Sequence, residues 1–444
     1  MRKKLTTQQK LARRKIGKPN YLIYRLLIFA IVKLMFEKKL GVNFTYKVNP
    51  KDFKGPFIVV GNHASRMDYI YSSLALLPHS MNYVVAFNEF FRSHLSFIFW
   101  LMCVIPKRNF VSDPYTIKSI KRVISKGGNI CIFPEGMSSI SGANQPSMIG
   151  SGKLLKCFGL PVLRLGIKGG YLTNTKYCLD ERCGRVDVEL DMLFTPEQLK
   201  SMDADEIQGE LDRAIYHDDY AWNKVARVSF DGKGQMAKNM HDMLYWCPRC
   251  GMEFTMHGSG NIIKCMLCGN GAEVNAYYDL IPFDNSCQIP ETPRVWWDIQ
   301  RELVRNLVSD ENFVLSERIK LGSLPQYKLL KNLKTSEITG EGRLALTRAG
   351  LQFDGVRDGA VFSFFVSSQN LPSLGIATDM SRMFTNATGE FLEFIPDSRS
   401  VAKWLLATEE NHRLTGGSWK DLISTTQNTS LLVESVTNSF LDTV

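Results

Sequence analysis

The feature that most constrains this fold is a repeated event in which an apolar run of strand type stops at a polar or glycine-bearing turn. Phe57-Ile58-Val59-Val60-Gly61 stops at NHASRMD, Asn62 to Asp68. Asn129-Ile130-Cys131-Ile132-Phe133 stops at Pro134-Glu135-Gly136. Runs this short and this apolar belong to strands covered on both faces. The first turn leads into an apolar-periodic segment, Tyr69 to Leu77. A helix-like stretch, Tyr115 to Lys126, follows Asp113-Pro114 and ends at Gly127-Gly128. Strands that end in turns feeding helices predict an α/β domain, a mixed sheet flanked by helices.

The turns carry chemistry as well as shape. His63 and Asp68 stand five residues apart in the first. Ser65 and Asp68 have capping-box spacing, which would place Ser65 as an N-cap with Asp68 three residues on. That reading leaves His63 unexplained. A carboxylate beside an imidazole fixes its tautomer and raises its basicity, and such a pair deprotonates a hydroxyl near neutral pH. Glu135 at the end of its strand is either a solvated turn residue or a carboxylate held at a site. Arg108, in VIPKR (Val104 to Arg108), is by default a surface arginine. Gly150-Ser151-Gly152-Lys153 looks like part of a P-loop, but Ser147 and Leu154 break that motif at both ends, so it predicts no nucleotide site.

Taken in order, NHASRMD, VIPKR, FPEG (Phe133 to Gly136) and GLPVL (Gly159 to Leu163) resemble the four motifs of the glycerolipid acyltransferase family, whose familiar member is lysophosphatidic acid acyltransferase. The resemblance covers about residues 40–200. It implies that His63, oriented by Asp68, takes the proton from an acceptor hydroxyl, which then attacks a fatty acyl thioester, acyl-CoA or acyl-carrier protein. It also implies no covalent acyl-enzyme and no catalytic cofactor. Asn62, Ser65, Arg108, Glu135 and Gly136 are the candidate substrate-binding residues, Arg108 because a guanidinium fork suits phosphate. Two positions depart from the family. EGTRS is here Glu135-Gly136-Met137-Ser138-Ser139, with Ser138 in place of the arginine, and the second proline of the fourth motif is here Arg164. Arg164 or Lys168 would have to compensate for that cation, or the acceptor is another lysolipid or a glycolipid.

The chain has 444 residues and a net charge of +10, and the charge is uneven. Residues 1–40 hold twelve Lys or Arg and one acid, Glu37, so the rest is close to neutral and predicts no nucleic-acid partner. Tyr21 to Phe36 is apolar and aromatic but is interrupted by Arg25 and Lys33, and falls short of the roughly 20 residues of a spanning helix. A basic lead joined to such a segment predicts a helix lying in the interface of an anionic leaflet. Leu95 to Ile105 is a second apolar stretch, also too short to span. With no secretory leader in evidence, the expected location is the cytoplasmic face of a membrane, monotopic or peripheral.

Four of the ten cysteines form a second strong signal. Cys247-Pro-Arg-Cys250 and Cys265-Met-Leu-Cys268 are two CxxC pairs fourteen residues apart, each followed by glycine. That spacing predicts a zinc ribbon with a hairpin over Met252 to Ile263 and a closed, structural zinc site. Cys103, Cys131 and Cys157 sit in apolar surroundings and predict core positions. His217-Asp218-Asp219 reads as a polar turn rather than a metal site, lacking a third ligand nearby.

Beyond Pro290 and Pro293 a helix, Val295 to Val308, precedes strands at Arg343–Thr347, Leu351–Asp354, Ala360–Val366 and Phe391–Ile395, then a helix from Ser398 to Asn411. This pattern resembles a PH-type or GRAM-type domain. The predicted organisation is a basic lead and membrane-interface helix (1–40), an acyltransferase domain (41–235), a zinc ribbon (240–280), a β-rich domain (290–415) and a mobile tail (416–444). The expected reaction is esterification of a lysolipid, with 1-acylglycerol-3-phosphate first among acceptors and glycerol-3-phosphate or a glycolipid as alternatives. A non-catalytic lipid-binding or tethering protein is the alternative of another class.

Overall fold

The computed structural model describes residues 5–31, 41–331 and 334–418. Residues 32–36 of the Tyr21 to Phe36 segment and the tail from residue 419 lie outside the described residues.

The first sheet has seven strands: β1 (Gly41–Tyr46), β2 (Ile58–Gly61), β3 (Met81–Ala86), β4 (Ile105–Lys107), β5 (Asn129–Ile132), β6 (Val162–Lys168) and β7 (Arg185–Phe194). Their order is β1-β7-β6-β2-β5-β3-β4, and every pairing is parallel except β6 with β7, so the sheet is mixed. Alternation explains the continuous apolar runs. Phe57 and Val59 face a core shared with Ile70, Tyr71 and Ala75 of the helix Asp68–Ala75 and with Tyr24 and Ile28 of the helix Tyr21–Ile31. Ile58 and Val60 face the other side, against Ile120, Leu155, Ile207 and Leu211 of the helices Pro114–Ile124, Ser151–Phe158 and Ala204–Ile215. Both faces are covered, as parallel strands require.

That packing also explains the abandoned P-loop fragment. A Cβ at Gly152 would stand 2.3 Å from the Ala204 carbonyl oxygen, so the glycine permits close approach of two helices. Cys157 corrects the sequence expectation. It is exposed, because it lies on the face of its helix opposite Leu155 and Gly152, whereas Cys131 is buried in β5.

A four-stranded antiparallel sheet follows, made of β8 (Met256–Ser259), β9 (Ile262–Cys265), β10 (Gly271–Val274) and β11 (Leu280–Pro282), in the order β11-β10-β9-β8. The predicted hairpin is β8 with β9. The last region is a seven-stranded antiparallel sheet: β12 (Val314–Ser323), β13 (Glu337–Thr347), β14 (Gly350–Arg357), β15 (Ala360–Ser367), β16 (Gly375–Ile376), β17 (Met383–Thr385) and β18 (Leu392–Pro396). Its order is β15-β14-β13-β12-β18-β17-β16. Two helices, Pro293–Ser309 and Val401–Leu414, pack on each other. Arg301 reaches Glu409 at 2.7 Å and Glu410 at 3.1 Å, so the buried carboxylates are paired with buried guanidinium.

The last region is docked on the first. Ser93 N donates to Leu330 O at 2.8 Å, Leu330 N donates to Phe91 O at 2.7 Å, and Phe384 and Phe391 join the core under the first sheet. The seam therefore runs along Phe87 to Arg92, the segment after β3. Among the described residues no helix is long and apolar enough to cross a membrane.

Candidate active site and metal centre

The site is built where β2 ends. A Cβ at Gly61 would stand 2.8 Å from the Leu165 carbonyl oxygen, which lets β2 lie against β6 up to its last residue. Asn62 then fixes the turn. Its Nδ2 donates to Ile167 O and its Oδ1 accepts from Ile167 N, both at 2.8 Å. Asn62 is buried, and its amide is fully used by β6.

His63 Nδ1 lies 2.7 Å from Asp68 Oδ2. Asp68 is buried, and both its oxygens accept from Ser65 N at 3.0 Å, with Ser65 Oγ 3.2 Å from Oδ1. Burial pushes the Asp68 carboxyl above its ordinary value, while His63 and the Ser65 N–H pull it down. Half of the expected capping box is present: Asp68 takes the Ser65 N–H, but the helix begins at Asp68 and its N-cap is Met67 with no side-chain cap. With Nδ1 held by a carboxylate, the imidazole keeps its proton there and presents the Nε2 lone pair. The His63 side chain is 25% exposed and its ring stacks on Phe133 with centroids 4.9 Å apart. Nε2 has no hydrogen-bond partner among the described residues.

Glu135 lies beneath this turn and is fully buried. Its Oε1 accepts from the His63 backbone N at 2.5 Å and its Oε2 from Gln145 N at 3.0 Å. Burial raises its pKa well above the ordinary value against the pull of these two donors. A carboxylate so placed braces the backbone that carries the imidazole. Ser139 N adds a second tie, donating to His63 O at 2.8 Å. Gly136 has φ of +82°, which only glycine adopts freely, and its carbonyl accepts from Asn109 Nδ2 at 2.5 Å.

Asn62, His63, Ser65, Asp68 and Glu135 are thus brought together. Arg108 is exposed, with its guanidinium 5.5 Å from the Phe87 ring centroid and its backbone N on Asp113 at 3.0 Å. It is linked to the turn through its neighbour: Asn109 ties Gly136 to the last region, accepting from Asn386 Nδ2 at 3.3 Å. Sequence reasoning missed Asn109, which no motif marks. Arg164 does not supply the cation that Ser138 lacks. Its Nε and Nη2 reach Asp191 at 2.9 and 2.7 Å, and Nη2 also bonds Glu189, so its guanidinium is taken up by β7.

The four paired cysteines converge elsewhere. Their Sγ atoms all lie within 4.8 Å of one another, with Cys247 to Cys268 at 3.6 Å and Cys250 to Cys265 at 3.8 Å. A tetrahedron with metal–sulfur bonds of about 2.3 Å has edges of about 3.8 Å, so these thiols fit a four-sulfur site. Each pair sits on the same knuckle. Gly251 N donates to Cys247 O and Gly269 N to Cys265 O, both at 3.0 Å, and both glycines have positive φ. His217 to Asp219 is a hydrogen-bonded turn: Asp218 caps the helix Asp219–Ala226, and Asp219 accepts from Gly169 N, Tyr171 N and His217 Nε2.

Residues 41–168 match the family model described as Acyltransferase. The turns at Asn62, Arg108 and Glu135 fall inside that span. Among solved structures, the chain is similar to the 1-acyl-sn-glycerophosphate (LPA) acyltransferase, PlsC, from Thermotoga maritima, with 17% identity over 46% of this chain and 78% of that one and a TM-score of 0.36. No curated protein matches the sequence.

Proposed function

We propose, starting from an acyltransferase domain at residues 41–168, that this protein esterifies the hydroxyl of a lysolipid with a fatty acyl group from a thioester, acyl-CoA or acyl-carrier protein. The observation that carries the reading is the 2.7 Å pair of His63 Nδ1 and Asp68 with Nε2 left open at the surface of that domain. In the forward reaction Nε2 takes the hydroxyl proton and the alkoxide oxygen bonds to the thioester carbonyl carbon. The C–S bond then breaks, and His63 returns the proton to the departing thiolate. Asp68 stabilises the imidazolium between these steps. Asn62, Ser65 and Glu135 hold the turn in place, and Arg108 and Gly136 lie toward the acceptor. 1-Acylglycerol-3-phosphate is the acceptor we favour.

A lipid acceptor calls for a lipid surface. On the helix Tyr21–Ile31, Leu22, Leu26 and Phe29 fall on one stripe and are 70%, 68% and 61% exposed, opposite the buried Tyr24 and Ile28. Phe97 and Trp100, stacked on the helix Ser93–Leu101, are also exposed. Arg14 bonds Trp100 O at 2.7 Å and so ties the basic lead to that helix. We read these as the parts that seat the protein in the interface of an anionic leaflet, on its cytoplasmic face. Deleting residues 1–36 should then abolish sedimentation with anionic vesicles.

The four thiols would hold a zinc ion as thiolates and leave it no open position, so its role would be structural. Chelation should unfold residues 240–280, read as loss of hydrogen-exchange protection there; an unchanged protection pattern would count against the metal. We read the seven strands and closing helix of residues 290–415 as a PH-type or GRAM-type module.

The reaction is tested with purified protein in vesicles. Labelled acyl-CoA and acyl-carrier protein are offered with lysolipids, glycerol-3-phosphate and glycolipids, with His63→Ala alongside. A product made by the wild type and lost in the variant supports the reading. No product from any pair, with folded protein, favours lipid binding or tethering.

A further inference from the structure

Lys176 lies in a buried segment of no recognisable motif, between Thr175 and Tyr177, both wholly buried. Its side chain is directed at the third turn: Nζ is 3.1 Å from Ser138 Oγ. Ser138 occupies the position where the resemblance expects an arginine, and its neighbour Ser139 holds the His63 carbonyl. Lys176 is 8% exposed, and among the described residues no carboxylate lies within ion-pair distance of its Nζ.

The surroundings are charged. Arg92, from the seam segment, is also 8% exposed and pairs with Glu89 at 3.0 Å, but its Nε is buried with no hydrogen-bond partner. The charges that act on Lys176 are Glu89 and Asp379 on one side and Arg92 and Arg66 on the other. Asp379 comes from the last region, so that region contributes charge to the surroundings of Lys176. Glu89 in turn faces His94 and Glu393. An ammonium resting on a hydroxyl, with a guanidinium N–H unmet, is costly when buried. A phosphate monoester supplies the missing oxygens and charge.

We propose that Lys176, with Arg92 behind it, forms the phosphate pocket of the acceptor site, standing in for the cation absent at Ser138. This rests on the acyltransferase reading, and it assigns the acceptor to the class of phosphate monoesters. It also gives the last region a role in acceptor selection through Asp379 and the seam at Phe87 to Arg92. Arg108 and the pocket then take the head group from two sides of the third turn.

The test compares wild type, Lys176→Met and Lys176→Met/Ser138→Arg. Equilibrium binding of 1-acylglycerol-3-phosphate and of 1-monoacylglycerol is measured first, then acyl transfer to each. Losing one charge-assisted contact should weaken the phosphate ligand about 10- to 100-fold and leave monoacylglycerol unchanged. The added arginine should restore the phosphate ligand. Burial lowers the Lys176 pKa to about 8. Above that pH, wild-type binding of the phosphate ligand should therefore fall about tenfold per pH unit, since binding then takes up one proton. Lys176→Met should show no such fall. Equal weakening of both ligands, no weakening, or a flat wild-type pH profile would overturn the pocket. Absence of acyl transfer with intact phosphate-selective binding would instead overturn the reaction and spare the pocket.

Discussion

Two His–Asp pairs lie in this molecule with nearly the same geometry. His63 and Asp68 meet at 2.7 Å, His217 and Asp219 at 2.6 Å, and both carboxylates are buried. The difference lies in what else each carboxylate holds. Asp68 takes its other donors from Ser65, inside its own turn. Removing it would disturb the imidazole and the turn that carries it, and no distant segment. Asp219 takes Gly169 N at 2.6 Å and Tyr171 N at 2.8 Å, from a segment some fifty residues earlier, so it ties the helix Asp219–Ala226 to the end of β6. In the proposed reaction the first pair orients a base; the second is a clasp that includes a histidine. A close imidazole–carboxylate contact does not by itself make a catalytic dyad.

The sharpest way to break this comparison is to remove both imidazoles in turn. His63→Ala should lower kcat by about 10²–10⁴, the usual contribution of general-base catalysis, with little change in thermal midpoint. Asp68→Asn should cost a similar factor, because the amide no longer fixes the Nδ1–H tautomer. Steady-state kinetics with the best acceptor, beside a melting curve, checks both. If His217→Ala lost as much activity as His63→Ala, the distinction would fail.

Next in size is Asp219→Asn. One acceptor oxygen survives, and the new amide turns its N–H groups toward donors already there. Losing bonds to a buried charge should cost about 2–3 kcal/mol of stability, read as a lower denaturation midpoint at unchanged kcat. A stable Asp219→Asn with poor turnover would move this pair into the reaction.

The contrast also shows what could be read from the chain alone. The turn at His63 was legible because its parts lie within seven residues and follow an unmistakable strand. The paired CxxC spacing was legible because four thiolates on two knuckles need that spacing and little else. Glu135 was recognised as a site residue, yet its burial beneath His63, bonded to backbone N–H groups, depends on the turn from Gly136 to Gln145 folding back. Lys176 and Arg92 were invisible: each is an ordinary cation in a segment with no pattern, and only the fold buries them. Arg164 was considered for the wrong task because nothing in the sequence pairs it with Asp191 across the β6–β7 ladder. Local chemistry is written in motifs, while the charges that complete a pocket arrive from distant segments.

The smallest effect separates the histidine of the clasp from its carboxylate. His217 contributes one hydrogen bond to Asp219, and its own backbone N is held by Asn144 Oδ1 at 2.6 Å whatever the side chain. His217→Ala should therefore leave Gly169 and Tyr171 bonded and cost only about 1 kcal/mol, with kcat within about twofold of wild type. Combining it with Asp219→Asn should cost less than the sum of the two, since both remove the same contact, and a double-mutant cycle in urea reads that coupling directly. Strict additivity would mean that the 2.6 Å contact contributes nothing to stability, and the clasp would then consist of the carboxylate and two backbone N–H groups alone.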